Sequence, residues 1–200
     1  YGILMPLKDI KGKIHSMQII KDDGTKRMIK DGKKSGNFFI VGENKLKHSK
    51  NLFIAEGLAT AGTIYKVTNK PVIVAVDANN LKHVSKAIQN QYKNKKLTIV
   101  ADNDFLKKSK NGYVLKDNNS KDIENLNKGI SVAKDIKKNL GIDYIYPKFE
   151  GISHNKNISD FNDLARIKGD QEVKRQISEQ TKEVAIDLNR SKQMERDIGQ

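Results

Sequence analysis

The strongest constraint on this chain is a short apolar run that ends in acidic residues and occurs more than once. The stretch 52–57 reads LFIAEG, and the stretch 97–104 reads LTIVADND. Apolar runs of this length, bounded by turn residues, are typical of buried strands in a parallel sheet. Because ligands in open α/β sheets bind outside the carboxyl ends of the strands, we expect Glu56, Asp102 and Asp104 to lie at one sheet edge.

A third apolar stretch, 144–146, is followed after a gap by the acidic sequence SDFND at 159–163. Carboxylates that crowd together repel each other unless a cation neutralises them, and hard oxygen ligands favour Mg²⁺ or Mn²⁺. The sequence therefore predicts a Mg²⁺ or Mn²⁺ site with the candidate ligands Glu56, Asp102, Asp104, Asp160 and Asp163.

Segments with helical spacing separate the apolar runs. Residues 58–67 are rich in Ala and end before Pro71, residues 71–76 form another apolar run, and residues 81–92 place apolar side chains at helical intervals. Alternating strands and helices indicate a parallel sheet covered by helices.

The first fifty residues have a different pattern, in which turn signals separate short strand candidates at 14–20, 26–30 and 37–41. They predict a small β-rich unit with a basic hairpin. Its cations suit contacts with a nucleic-acid backbone, although a solvated surface hairpin explains them equally well. These cations are Lys26, Arg27, Lys33 and Lys34.

The second half of the chain contains an interruption and a long polar end. Residues 105–121 are polar and turn-rich and predict an exposed insertion; helical spacing follows at 123–140, and residues 143–149 are the last strand candidate before a loop at 151–158. From Asp170 onward the pattern predicts a long amphipathic helix, which either packs on the domain or begins a linker. We divide the chain at 1–50, 51–169 and 170–200.

Composition narrows the classes of function. A net charge of +14 favours a polyanionic partner such as nucleic acid, with a generally lysine-rich composition as the alternative explanation. The sequence has no cysteine, so it offers no disulfide or thiolate metal site. No apolar run approaches the roughly 20 residues of a membrane helix. Since no leader peptide is visible and the chain starts at Tyr1, we expect a cytoplasmic fragment of a larger protein.

Together the motifs resemble the Toprim domain shared by primases, topoisomerases and some nucleases. The resemblance is greatest to Toprim primases of plasmids and phages, including conjugative transfer primases, and it covers residues 12–169. It rests on the motifs KKSGNFF (33–39), EGLATA (56–61), VAVDANNL (74–81), ADND (101–104), NKG (127–129), PKF (147–149) and DFNDL (160–164). It implies an α/β fold with a Toprim-like parallel sheet flanked by helices, preceded by a small β-rich N-terminal subdomain and followed by a long C-terminal helix.

The resemblance also implies roles for the acidic residues. Glu56 is similar to the Toprim glutamate, a general acid or base in nucleotidyl transfer or strand rejoining. Asp102 and Asp104 resemble the metal-binding pair, and strand alternation sends both side chains to the same side. Asp160 and Asp163 resemble the last acidic cluster and complete the metal site. The structural alternatives are helix capping by Glu56 or Asp160 and a turn at 102–104.

Three further polar residues, Asp77, Asn80 and Asn162, are candidates for orienting a nucleotide or a metal-bound water. For Asn80, capping of the following helix is the alternative. Chromosomal primases carry an aspartate shortly after their Glu-Gly pair, whereas this chain has alanine and threonine at 59–61. This departure places the chain away from the chromosomal group.

The resemblance implies the catalytic fragment of a DNA primase that uses Mg²⁺ or Mn²⁺ and ribonucleotides. Such an enzyme synthesises RNA primers on single-stranded DNA in plasmid or phage replication or conjugation. Flanking zinc-binding, helicase or relaxase regions are expected outside this chain. A Toprim nuclease is an alternative enzyme, and a non-catalytic nucleic-acid-binding module of a mobilisation protein is an alternative of another class.

Overall fold

Strands and helices alternate along the chain, as the sequence predicts. The computed structural model describes residues 1–104, 106–109, 112–115, 127–152 and 158–198. Their elements in chain order are β1 (Gly2–Lys8), β2 (Ile14–Lys21), β3 (Lys26–Met28), β4 (Phe39–Val41), a 3-10 turn (Glu43–Lys45), β5 (Asn51–Ala55), α1 (Leu58–Thr68), β6 (Val72–Val74), α2 (Ala78–Gln91), β7 (Lys96–Val100), β8 (Leu106–Ser109), β9 (Gly112–Leu115), α3 (Lys128–Leu140), β10 (Asp143–Ile145) and α4 (Phe161–Ile198).

The central sheet has the strand order β10-β7-β5-β6-β4. The first four of these strands are parallel to their neighbours, and β4 pairs with β6 in the antiparallel direction. Phe53 in β5 lies opposite Val72 on one side and Thr98 on the other, so the three strands end at nearly the same level. The predicted parallel sheet flanked by helices is confirmed.

Apolar side chains fill both faces of this sheet because its strands are buried on both sides. On one face, Phe53 and Val74 pack with Ile64 of α1 and with Phe161 and Val173 of α4. On the other face, Ile54, Ile73 and Ile99 of the strands pack against α2 and α3. The helices contribute Leu81, Val84, Ile88 and Ile136 to this layer. Helices on both faces leave the carboxyl ends of the strands open for a site.

A three-stranded antiparallel sheet, β1-β2-β3, forms the predicted β-rich N-terminal unit. Its first strand, β1, has no counterpart among the predicted strands, yet its Met5 and Leu7 are buried in the main core. The backbone of Lys8 exchanges two hydrogen bonds with that of Phe38. The unit is therefore joined to the central sheet by both packing and backbone pairing.

Several helix boundaries differ from the sequence predictions. Helix α2 begins at Ala78, three residues before the expected start, because Asp77 caps it. Helix α4 is interrupted at Gly169, where φ is 83° and ψ is 167°; the part after the interruption begins at Asp170, as predicted, and an additional helical segment from Phe161 precedes it. Beyond the interruption, Val173 and Ile177 are buried, so this part of α4 packs on the domain.

Some predictions fall outside the described residues. The expected insertion at 105–121 contains the hairpin of β8 and β9, and its remaining residues lie outside. So do residues 123–126 of the third predicted helix, residues 153–157 of the predicted loop, and the side chains beyond 182. In the described part of the chain, no helix is both long and apolar enough to span a bilayer.

Candidate active site

Glu56 follows β5 directly and lies among other acidic side chains at the carboxyl edge of the sheet. Burial raises the pKa of the Glu56 carboxyl, and the charges of Asp104 and Asp77 raise it further. A hydrogen bond from the backbone N–H of Ala78 and the charge of Lys128 act in the opposite direction. The structure therefore brings Glu56 together with carboxylates from β6 and β7, as the sequence predicts.

Asp102 is the most strongly perturbed acid in this cluster. Burial raises the pKa of Asp102 to about 8, with further contributions from Glu56, Asp160 and Asp104 and an opposing one from Lys26. Its Oδ1 atom is buried and has no hydrogen-bond partner. A buried carboxylate oxygen without a partner is costly, so this atom is available to a ligand that supplies positive charge.

The loop of Asp102, Asn103 and Asp104 is held by hydrogen bonds from three directions. The Asn103 N–H donates to the carbonyl of Ser159 at 2.7 Å, and its Nδ2 donates to the carbonyl of Pro147 at 2.9 Å. Asn127 donates through Nδ2 to Oδ1 of Asn103 at 2.8 Å and accepts from the backbone N–H of Asp104 at 3.1 Å. Asn103 therefore orients Asp102 and Asp104. Strand alternation alone, which pairs only the two aspartates, assigns it no role.

Helix α3 begins beside this loop and contributes two residues to it. Asn127 caps the helix and also holds the loop, and Gly129 lies against the backbone of Asp102. The sequence shows the NKG motif, but it assigns no role to either residue. Asparagine is a favoured N-cap residue, but the helical spacing already begins at residue 123, so the pattern alone does not place a helix start at Asn127.

The acidic sequence at 159–163 forms the N-terminus of α4. Asp160 accepts from the Asp163 N–H at 2.7 Å, and Asp163 accepts in return from the N–H groups of Ser159 and Asp160 at 3.0 and 3.4 Å. This reciprocal arrangement is a capping box. Thr60 of α1 donates to Oδ2 of Asp160 at 2.8 Å. The pKa of Asp160 is raised, mainly by burial, so Asp160 belongs to the acidic cluster, while the geometry of Asp163 favours capping.

Asp77 follows β6 and has two roles. Its Oδ1 accepts from the Asn80 N–H at 3.0 Å and caps α2, and its Oδ2 forms an ion pair with the Nζ of Lys34. Val76, immediately before it, has a φ of 78°, which is a strained backbone conformation for a β-branched residue. The fold thus holds Asp77 at the site against a local backbone preference.

Asn80 joins the N-terminal unit to the sheet. Its side chain is buried; Oδ1 accepts from the Gly36 N–H at 2.7 Å, and Nδ2 donates to the carbonyls of Asn37 and Ala75 at 3.0 and 2.8 Å. These contacts bind the loop at 33–37 to the end of β6. Asn80 therefore holds the backbone that carries Lys34.

The structure divides the four predicted cations into two pairs. Lys34 reaches Asp77, and Lys26 reaches the acidic cluster: its Nζ lies 3.8 Å from the position that a Cβ on Gly57 would occupy. The side chains of Arg27 and Lys33 are exposed on the surface of the same unit. The remaining candidate, Asn162, accepts a long 3.4 Å hydrogen bond from Thr63 of α1, which places it beside α1.

The donor atoms in the cluster fit a hard divalent cation. Among the described residues, no three His, Cys, Asp or Glu side chains stand close enough together to hold one ion by themselves. Mg²⁺ is usually held by one or two carboxylates together with waters and substrate phosphates. Asp102, with its partnerless Oδ1, and one neighbouring carboxylate, that of Glu56 or Asp104, meet that requirement.

Comparison with known families gives a match over most of the central sheet. Residues 51–171 match the family model of the Toprim domain. Two curated proteins from Escherichia coli, both named DNA primase TraC, are 38% and 39% identical to the chain over 101 residues. The matched part is 50% of this chain but only 10% and 7% of those two relatives.

Solved structures share the fold at low sequence identity. The primase fragment of the bacteriophage T7 primase-helicase protein superposes with a TM-score of 0.57 and 14% identity, covering 87% of this chain and 62% of that one. The Aquifex aeolicus primase, with its zinc-binding and RNA polymerase domains, gives a TM-score of 0.52 and 16% identity, covering 89% and 40%. The likeness therefore includes the N-terminal unit as well as the central sheet.

Proposed function

The chain belongs to the Toprim domain family, and from that premise we propose that it is the catalytic part of a DNA primase. It joins ribonucleotides into short RNA primers on single-stranded DNA, with Mg²⁺ or Mn²⁺. One observation carries the proposal: Glu56, Asp102 and Asp104 lie near one another at the carboxyl edge of the sheet, and Asp102 has a buried carboxylate oxygen without a partner. The similarity of half the chain to two DNA primases supports the same reading.

Nucleotidyl transfer needs a base and a source of positive charge, and residues of this chain suit both roles. The 3′-oxygen of one nucleotide forms a bond to the α-phosphorus of the next, the bond from that phosphorus to pyrophosphate breaks, and the hydroxyl proton passes to a base. Glu56 suits that base because its pKa is raised by burial and by neighbouring carboxylates. Asp102, together with one neighbouring carboxylate of Asp104 or Glu56, would hold a Mg²⁺ or Mn²⁺ ion, which would supply charge neutralisation for the phosphates.

Lys26 and Lys34 supply the fixed positive charge of the site. Both come from the N-terminal unit and lie beside the acidic cluster, where their ammonium groups bind the phosphates of a nucleotide or template. Arg27 and Lys33, exposed on the same unit, extend this basic surface for the template backbone.

The names of two solved structures agree with this assignment of ligands. One describes primase domains of bacteriophage T7 bound to an RNA/DNA hybrid and dTTP, and another describes a DnaG primase catalytic domain bound to single-stranded DNA. Because the matched region is a tenth or less of the TraC relatives, we also propose that flanking zinc-binding, helicase or relaxase regions act with this chain.

A primer-synthesis assay tests the proposal. Labelled ribonucleotides, single-stranded DNA and Mn²⁺ are incubated with the wild type, with Asp102→Asn and with Glu56→Gln. The control is Asp135→Asn, since Asp135 lies on the surface of α3 and pairs with the exposed side chains of Lys82 on α2 and Asn139 on α3. Incorporation that the first two variants lose and the control keeps supports a primase.

Two other outcomes select the alternatives. Nicking of plain DNA without nucleotides, lost in Asp102→Asn, indicates a Toprim nuclease. Binding of single-stranded DNA that Glu56→Gln leaves unchanged, with no incorporation by the wild type, indicates a non-catalytic nucleic-acid-binding module.

A further inference from the structure

Two glutamine side chains of α4 bind the backbone segment that follows the edge strand β10. Strand β10 lies at the sheet edge. Gln180 accepts from the N–H of Tyr146 at 3.1 Å and donates to its carbonyl at 2.9 Å. Gln176, one helical turn earlier, does the same for Lys148 at 2.9 and 3.0 Å. The N–H and carbonyl groups of both residues therefore face α4, just beyond the end of β10.

Both glutamines are buried within the fold, with 5% and 8% of their surface exposed. Glutamine loses considerable rotamer freedom when it is buried, and simple packing of α4 is already provided by Val173 and Ile177. Each amide fills both hydrogen-bonding positions of one backbone residue. The pair therefore determines where residues 146–148 lie along the helix, which apolar contacts do not do.

The opposite side of this short segment contacts the acidic loop. Pro147 lies between the two clamped residues, and its carbonyl accepts the 2.9 Å hydrogen bond from Nδ2 of Asn103. Two residues earlier in both segments, the Ala101 N–H donates to the carbonyl of Ile145 at 2.9 Å. The segment thus stands between α4 and the loop that carries Asp102 and Asp104.

We propose that Gln176 and Gln180 are positioning residues for the acidic centre. By clamping the backbone on either side of Pro147, they hold the acceptor that orients Asn103 and hence the two aspartates. Helix α4 then influences the site through a series of hydrogen bonds, which runs from α4 to residues 146–148 and from there to the loop at 102–104. The catalytic role of the two glutamines rests on the proposed function. The structural coupling between α4 and the loop at 102–104 does not.

Hydrogen exchange of the loop tests the coupling directly, without metal or nucleotide. Gln180→Met keeps the volume of the side chain and removes both hydrogen bonds. We expect amide exchange in the peptide containing residues 101–104 to become about tenfold faster, because hydrogen bonds that order the loop are weakened. Faster exchange confined to residues 146–148 and α4, with residues 101–104 unchanged, would overturn the proposal.

Two glutamines serve as matched controls. Gln89→Met removes a hydrogen bond of the same type, from a helix side chain to the carbonyl of Leu140, away from the acidic loop. Gln171→Met changes an exposed position of α4 itself. Both controls are expected to leave the exchange of residues 101–104 unchanged; acceleration by Gln89→Met equal to that in Gln180→Met would show a global loss of stability and refute the coupling.

A conservative variant adds a rescue. In Gln180→Glu, an ionised carboxylate still accepts from the Tyr146 N–H but repels its carbonyl, whereas the protonated acid donates to that carbonyl and restores the pair. Loop exchange relative to wild type should therefore be fast at neutral pH and normal at acidic pH. An equal ratio at all pH values contradicts the clamp. Mn²⁺ binding links the coupling to the site, and we expect Gln180→Met to lower the Mn²⁺ affinity about tenfold. If Mn²⁺ binding is weakened but primer synthesis stays intact, the result counts against the proposed function and not against the clamp.

Discussion

Gly129 approaches the backbone of Asp102 so closely that a Cβ atom at residue 129 would lie 2.3 Å from the Asp102 carbonyl oxygen. Since both partners are backbone, neither can move aside easily. We expect Gly129→Ala to lower the free energy of unfolding by about 3 kcal/mol, the upper end for overpacking, and to displace Asp102. Urea denaturation and Mn²⁺ binding measure the two effects.

Gly62 provides the matched control for that change. It lies inside α1, and a Cβ there would meet nothing within 4 Å. Gly62→Ala is therefore expected to raise the free energy of unfolding by about 0.5–1 kcal/mol. If Gly129→Ala were as harmless as Gly62→Ala, the close approach of α3 to Asp102 would be refuted.

The raised pKa of Asp102 gives the stability a defined pH dependence without metal. The folded carboxyl, with a pKa of about 8, keeps its proton over a range where the unfolded carboxyl, at about 4, has lost it. The protonated Asp102 carboxyl therefore contributes fully to the free energy of unfolding below pH 4, and this contribution is lost as the pH rises to 8. Asp102→Asn should therefore become progressively more stable than the wild type between these values.

Chemical denaturation in EDTA at intervals of pH measures this difference. Glu56 and Asp160, whose pKa values are also raised, contribute in both proteins. Because their charges interact with Asp102, the difference measures the titration of Asp102 together with its coupling to them. Asp135→Asn is the control, because its lowered pKa gives no change in the difference above about pH 5. A difference for Asp102→Asn that is flat from pH 4 to 8 would show that Asp102 ionises normally.

Asn80 is expected to be essential for docking of the loop at 33–37. Replacement by Ala leaves the Gly36 N–H and the carbonyls of Asn37 and Ala75 without partners. Each unsatisfied buried group costs about 1–3 kcal/mol, so we expect a loss of about 3 kcal/mol or more in urea denaturation. Asn79→Ala, at the exposed neighbouring position, should change stability by less than about 0.5 kcal/mol; similar losses in both variants would contradict the assigned role.

Lys34 and Lys33 allow a comparison of adjacent lysines that differ only in their environment. Lys34→Met removes a cation that lies beside Asp77 and the acidic cluster, and the KM for ribonucleotides should rise about tenfold, as expected for loss of a charged hydrogen bond. Lys33→Met removes an exposed charge and should alter mainly the salt dependence of DNA binding. Equal effects of both variants on KM would mean that Lys34 acts only through net charge.

The carboxyl edge was predictable because parallel strands end together. The short, mostly apolar runs before Glu56 and Asp102 are enough to infer a shared edge, and the family motifs give the order of the pieces. Lys26 and Lys34 were identified as basic residues, but their entry into the acidic cluster depends on how the N-terminal unit docks. That docking depends on Asn80 and on β1, whose half-exposed pattern gives a weak strand signal.

Other features depend on tertiary contacts that a single sequence does not display. Asn103 and Asn127 bond to each other across 24 residues, and Gln176 and Gln180 bond to backbone about 30 residues away. The positive φ of Val76 runs against the local preference of valine. In each case a long-range contact overrides local propensity, so pattern and spacing alone could not show it.

The docking of the N-terminal unit has a consequence for how this protein can be divided. The family match spans residues 51–171, and a chain cut at those bounds keeps the carboxylates at 56, 77, 102, 104 and 160. It loses Lys26 and Lys34 on one side and Gln176 and Gln180 on the other. Such an excised piece would keep Lys128 but lose two of the cations beside these carboxylates, and it would leave the backbone of Tyr146 and Lys148 without its hydrogen-bond partners from α4. The stretch that the family match covers is therefore shorter than the stretch that contributes residues to the proposed centre.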